Sequence, residues 1–194
     1  MSVKKDILKY AKKAMDKLVD KIELNPCLLI TEADLRSFVY MTLYNYKKIF
    51  QRLYYDRENT KTKTILLHTE YYYKKKGKGF YDVVILDPDK INKGDHLQDK
   101  SILIGFELKL TEGKNISEVF ASMEVDSSTY DKSERTADYV FVLHINTDAG
   151  NDEKEINKLK KRLISFKKRK NLKKIFFHYI EINEDCDYDW VLEV

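Results

Sequence analysis

Cysteine, proline and glycine are all scarce in this chain of 194 residues, which has two, two and six of them. Cys27 and Cys186 cannot build a disulfide framework, and with no C-x-x-C pair they do not suggest a zinc site; two reduced thiols remain. Few prolines and glycines leave little room for long structureless linkers. No stretch approaches the roughly 18 apolar residues that a membrane span needs. The opening Met-Ser-Val-Lys-Lys-Asp lacks the apolar core of a secretory signal. The expectation is a cytoplasmic protein with no membrane partner. Internal repeats are absent, and so is low-complexity sequence beyond short lysine clusters. The net charge of +4 is too small to name a partner, so the distribution of charge matters more. Hydrophobic residues at 43% and charged residues at 35% suit one globular domain with a real core.

Apolar residues at Ile7, Leu8, Ala11, Ala14, Met15, Leu18, Val19 and Ile22 have helical spacing, which Asn25-Pro26 ends. A second helix is expected from Thr31, where Thr31 and Asp34 stand at capping-box spacing. Its stripe runs from Leu35 to Leu53, for about five turns. Strands follow at Thr64 to Tyr73, Phe80 to Leu86 and Ile102 to Leu110, with a turn at Lys74–Gly79 and a polar loop over 88–100. A helix near Ser117 to Tyr130, a strand at Tyr139 to Leu143, a lysine-rich helix over Glu153 to Lys170 and a strand at Ile175 to Ile182 complete the pattern. The order α-α-β-β-β-α-β-α-β predicts an α/β fold, a mixed central sheet flanked by helices. One domain is expected over 1–194, with an N-terminal helical extension over 1–26, a core over 31–182 and a solvated acidic tail over 183–194.

Chemistry concentrates on two of these strands. In Gly105-Phe106-Glu107-Leu108-Lys109, strand alternation puts Glu107 and Lys109 on one face, with space beside Gly105, and Phe106 and Leu108 on the other. Asp82 opens the neighbouring apolar strand and should be partly buried, a costly place for a carboxylate without a pair, a hydrogen bond or a metal. Two carboxylates on adjacent strands suit a hard divalent cation such as Mg²⁺, which lowers the pKa of a bound water and neutralises charge on a phosphate. Lys109, protonated at neutral pH, suits orienting that water and stabilising the transition state better than general-base work. Glu32 continues the buried stripe of the second helix. It is either a third carboxylate that reaches the metal or its water, as a further ligand, or an acid complementing the helix dipole.

The pattern Asp82…Glu107-Leu108-Lys109 resembles the PD-(D/E)xK nuclease superfamily, the restriction-endonuclease-like fold. The element order α-β-β-β-α-β over residues 31 to 145 is similar to that core, preceded here by an extra N-terminal helix. The resemblance implies Asp82 and Glu107 as metal ligands, Lys109 as the catalytic lysine, the Leu108 carbonyl as a further ligand and Glu32 as the acid of the first core helix. Tyr81 stands where the motif's proline would be.

Other features have two readings each. Lys74, Lys75, Lys76 and Lys78, after Tyr71-Tyr72-Tyr73, are either a nucleic-acid-binding hairpin of phosphate contacts and stacking rings or a solvated tip. Residues 154–174 hold eleven Lys or Arg, either a phosphate-tracking face or a surface helix paired with Asp152, Glu153 and Glu155. Glu118 and Asp126 are substrate contacts or surface charges. No two histidines have metal-ligand spacing; His68 and Glu70 share a strand face and either approach the site or, like the other histidines, are structural or exposed.

The functional expectation is a Mg²⁺- or Mn²⁺-dependent deoxyribonuclease, with DNA favoured over RNA and internal cleavage over end cleavage. The alternative is a catalytically inactive nucleic-acid-binding or complex-forming module on the same fold. A homodimer through the amphipathic N-terminal helix is a further expectation.

Overall fold

A computed structural model describes residues 3–25, 31–55, 63–72, 80–91, 102–128, 137–183 and 188–194. Its helices are α1 (Val3–Leu24), α2 (Glu32–Tyr46), the single turn α3 (Pro88–Ile91), α4 (Ile116–Ser128) and α5 (Glu153–Lys170). A two-stranded ribbon pairs β1 (Tyr54–Tyr55) with β2 (Lys63–Thr64). The main sheet holds β3 (Leu67–Tyr72), β4 (Phe80–Leu86), β5 (Ile102–Glu112), β6 (Ala137–Thr147), β7 (Ile175–Ile182) and β8 (Tyr188–Glu193), in that spatial order. The pairs β3–β4, β4–β5 and β7–β8 are antiparallel, whereas β5–β6 and β6–β7 are parallel. The expected mixed sheet is therefore present. No helix of the described residues is long and apolar enough to cross a membrane.

Register sorts the sheet into two faces. Phe106, Phe141 and Phe176 are neighbours across β5, β6 and β7 and pack ring on ring. This face lies under α1, whose Lys12 ammonium sits 4.0 Å from the Phe176 ring centre. One residue on, Glu107, Val142 and Phe177 share the opposite face. There Phe166 of α5 meets Phe177, and Phe120 of α4 meets Phe166. Helices thus cover both faces, as parallel strands require.

The apolar stripe of α1 (Ile7, Ala11, Ala14, Met15, Leu18, Val19 and Ile22) is buried within the chain's own core. Three expectations change. Helix α2 stops at Tyr46 because Lys47 turns extended (φ −148°, ψ 140°); a 3-10 turn over Lys48–Phe50 then buries Phe50, while Leu53 is left exposed. Pro88 starts a helical turn, not a loop, which suits its fixed φ and missing N–H. The supposed acidic tail supplies edge strand β8, and Val194 exchanges two backbone hydrogen bonds of 3.0 Å with Phe177. The turn at 74–79, His96, Tyr130, both cysteines and residues 184–187 lie outside the described residues.

Candidate active site at the β4–β5 fork

The site forms where β4 and β5 part. Their pairing ends at Val83 opposite Phe106, with Asp82 and Glu107 the next residue of each strand. Here a side chain replaces the ladder: the Leu108 N–H donates to Asp82 Oδ2 at 2.8 Å. The N–H and carbonyl of one strand residue point to the same neighbour, so the Leu108 carbonyl is directed to the β4 side as well. Glu107 and Asp82 are both half-buried.

Helix α2 delivers two further groups. Thr31 caps it with both capping-box bonds to Asp34, at 2.8 Å and 3.1 Å, which fixes where the first turn begins. Glu32 in that turn accepts an ion pair from Lys109 at 2.6 Å. One turn on, the Arg36 guanidinium lies 3.2 Å from Asp82 Oδ1 and also pairs with Glu70. Glu70 sits at φ 49°, an uncommon conformation for a residue with a side chain, inside β3. Its neighbours Thr69 and Tyr71 stay in register with β4. His68, in contrast, hydrogen-bonds Thr64 Oγ1 and the Ile65 carbonyl, each at 3.0 Å, so those bonds serve the local chain path.

The space expected beside Gly105 is filled. A Cβ at Gly105 would meet carbon atoms of the Tyr81 ring at 2.6 Å. Tyr81 is wholly buried, so its ring wedges the segment that leads into Asp82.

The electrostatics are those of crowded carboxylates. Burial pushes the Asp82 carboxyl up, against the Leu108 N–H and Arg36, and Glu32 adds to the rise. Burial also pushes Asp126, on α4, up to about 6; the Lys109 charge opposes this, while Asp82 and Glu32 reinforce it. Lys109 is held above the usual lysine range, mainly by its hydrogen bond to Glu32, and so is cationic at neutral pH.

Beside Lys109 runs a polar network that the sequence did not suggest. Lys109, His144 and Tyr179 are neighbours across the parallel strands, as are Thr111, Asn146 and Glu181. Thr111 Oγ1 bonds His144 Nε2 at 2.8 Å and Asn146 Oδ1 at 2.9 Å. Tyr179 donates to Glu181, which also accepts from the Asn151 N–H at 2.6 Å and its side-chain amide at 2.8 Å. Burial, then the Lys109 charge, lower the His144 imidazole to about 4, so it is neutral. Burial and the bond to Glu181 raise the Tyr179 phenol.

Of the expected site residues, Asp82, Glu107, Leu108, Lys109 and Glu32 are therefore gathered at the fork. Arg36 and Asp126 join them. Arg36 had a legible signal, since it lies four residues after Glu32 on the same helix face. Asp126 borders the buried stripe of Val119, Met123 and Ser127. Glu118 is instead a cap, accepting from Asn115 at 2.8 Å and 3.2 Å while Asn115 accepts from the N–H groups of Ser117 and Glu118. Lys74, Lys75, Lys76 and Lys78 lie outside the described residues.

Among the described residues, no three carboxylate, imidazole or thiol groups form a ready-made metal cage. A hard cation such as Mg²⁺ needs less: one or two carboxylates and a carbonyl suffice when waters complete the shell. Asp82, Glu107 and the Leu108 carbonyl fit that donor set, and the crowded acids around them favour added positive charge. Compared with family models, curated proteins and solved structures, the chain has no significant match.

Proposed function

We propose that this protein is a divalent-metal-dependent nuclease of the PD-(D/E)xK type, acting on DNA and favouring internal cleavage. The observation that carries the reading is Asp82 at the β4–β5 fork, bonded to the backbone inside Glu107-Leu108-Lys109. The order α2-β3-β4-β5-α4-β6, interrupted by the ribbon β1–β2 and the single turn α3 and with β5 and β6 parallel, supports the restriction-endonuclease-like core. A Mg²⁺ or Mn²⁺ ion held by Asp82, Glu107 and the Leu108 carbonyl would supply an activated water and neutralise charge on the scissile phosphate.

The chain's own groups do the rest. Lys109 keeps its proton, orients the attacking water and stabilises charge that builds on the phosphate oxygens. Glu32 holds the Lys109 ammonium beside the fork, and Arg36 steadies Asp82 from the α2 side. The buried network behind Lys109 fixes the sheet beneath it. The cytoplasm is the compartment this reading favours.

A second reading is a nucleic-acid-binding or complex-forming module without catalysis. It is favoured by the internal pairing of Lys109 with Glu32 and of Arg36 with Asp82. Plasmid and single-stranded DNA incubated with Mg²⁺ or Mn²⁺ separate the two. The nuclease reading expects cleavage that Asp82→Ala and Lys109→Ala each reduce by orders of magnitude. Wild-type protein that leaves both substrates intact with either metal, or robust cleavage by both variants, sinks it.

A further inference from the structure

The outer face of α5 carries a row of cations that the candidate site does not use. Lys154, Lys158, Lys161, Arg162 and Arg169 line a groove of about 710 Å³ together with Phe120, Asn157 and Ser165, and no carboxylate of the described residues borders it. These α5 positions recur at helical spacing on one ridge. Of the acids considered as their partners, Asp152 and Glu155 bond each other's backbone in the α5 capping box, and Glu153 stands in the first turn next to Lys154. The ion pairs of the described residues involve none of the five cations. Arg162 is fixed in place, 4.0 Å over the Phe120 ring and 3.3 Å from Ser117 Oγ.

We infer that this ridge of α5 is a phosphate-tracking surface on which a nucleic-acid backbone lies. Lys154 to Arg169 spans roughly 22 Å at 1.5 Å per residue. One strand of duplex DNA presents a phosphate about every 3.4 Å of axis, so the ridge covers about six of them. A membrane is a poorer occupant, because the apolar side of α5 (Ile156, Leu159, Leu163 and Phe166) is buried in the core and has nothing to insert. An acidic protein would need carboxylates spaced along roughly 22 Å, whereas a nucleic-acid backbone presents its charges at regular intervals. Helix α4 ties the ridge to the fork: Ser117 meets Arg162, and Asp126, roughly 14 Å further along α4, is coupled to Lys109.

The inference rests on α5 alone and does not require cleavage. The test uses the full chain and fluorescein-labelled DNA, with anisotropy read from about 50 to 200 mM KCl in EDTA. Four or five phosphate contacts predict a log–log salt slope near −4 on duplex DNA and a loss of about 10²-fold over that range. The Lys154→Ala, Lys158→Ala, Lys161→Ala, Arg169→Ala variant should bind at least about ten-fold more weakly, with a slope shallower by about 3. Arg162 is kept because it packs on α4. Alanine suits exposed helix positions, and a Lys158→Ala, Lys161→Ala variant with about half the effect guards against a folding defect. Binding is read in EDTA, where no metal-dependent cleavage can occur, so failure here and failure of the nuclease reading are told apart. Unchanged affinity and slope in the quadruple variant would overturn the inference. So would wild-type protein that does not bind DNA at low salt, or that holds polyglutamate or anionic vesicles as tightly as DNA.

Discussion

Asp126→Asn should make the protein more stable at neutral pH and no more stable in acid. The folded carboxyl titrates at about 6, against an ordinary value of 3.8. Each unit is worth about 1.4 kcal/mol, which gives roughly 3 kcal/mol as an upper bound. Asp126 is only partly buried, and solvent screening reduces this to about 1–2 kcal/mol. The sign follows from proton counts. Between about pH 4 and 6 the folded state holds a proton that the unfolded state has lost, so this group's contribution falls as pH rises through the window. Above the window the cost is complete; below it there is none. Asparagine keeps a polar group of the same shape beside Ser122 and removes the charge. In a chain of this size the gain corresponds to a melting temperature higher by about 2–8 °C. The assay is thermal and urea unfolding of both proteins in EDTA at about pH 7.5 and pH 4.5. A gain at the higher pH that falls to roughly a third of its size at the lower is expected, and it should shrink when Mn²⁺ is added, because a bound cation relieves the same crowding in the wild type. Equal stability at the higher pH, or the same gain at both, would refute the reasoning.

Gly105→Ala places a Cβ 2.6 Å from the Tyr81 ring; the overpacking should cost about 1–3 kcal/mol in urea unfolding, and a neutral result would mean that Tyr81 is not wedged there. Thr31→Ala removes the α2 cap and should cost about 1 kcal/mol, measured the same way. Lys109→Met leaves Glu32 in water-accessible surroundings, so unfolding should change little while cleavage falls about 10²–10³-fold; a large loss of stability with full activity would contradict its assigned role.

Local signals were legible in the chain and long-range pairings were not. Helix α5 was bounded correctly because Asp152 caps one end and Asn171, at φ 54°, closes the other. Alternation placed Glu107 and Lys109 on one face before any pairing was known. The α2 stripe misled past Tyr46, since a 3-10 turn buries Phe50 where a continued helix would also have done so. Strand β8 was hidden because its segment reads as acidic, and only the edge of β7 makes it a strand. The network of Thr111, His144, Asn146, Tyr179 and Glu181 depends on the register of three strands far apart in sequence, which no single segment encodes. Tyr81 over Gly105 is a packing fact of the same kind.

The central claim is that Asp82 and Glu107 hold a divalent cation at the β4–β5 fork. Calorimetric titration of Mn²⁺ into the full chain tests it without any substrate. Saturable binding to wild-type protein is expected, lost in folded Asp82→Asn and strongly weakened in folded Glu107→Gln. Wild-type protein that binds no Mn²⁺, or variants that bind it as tightly as wild type, would contradict the account.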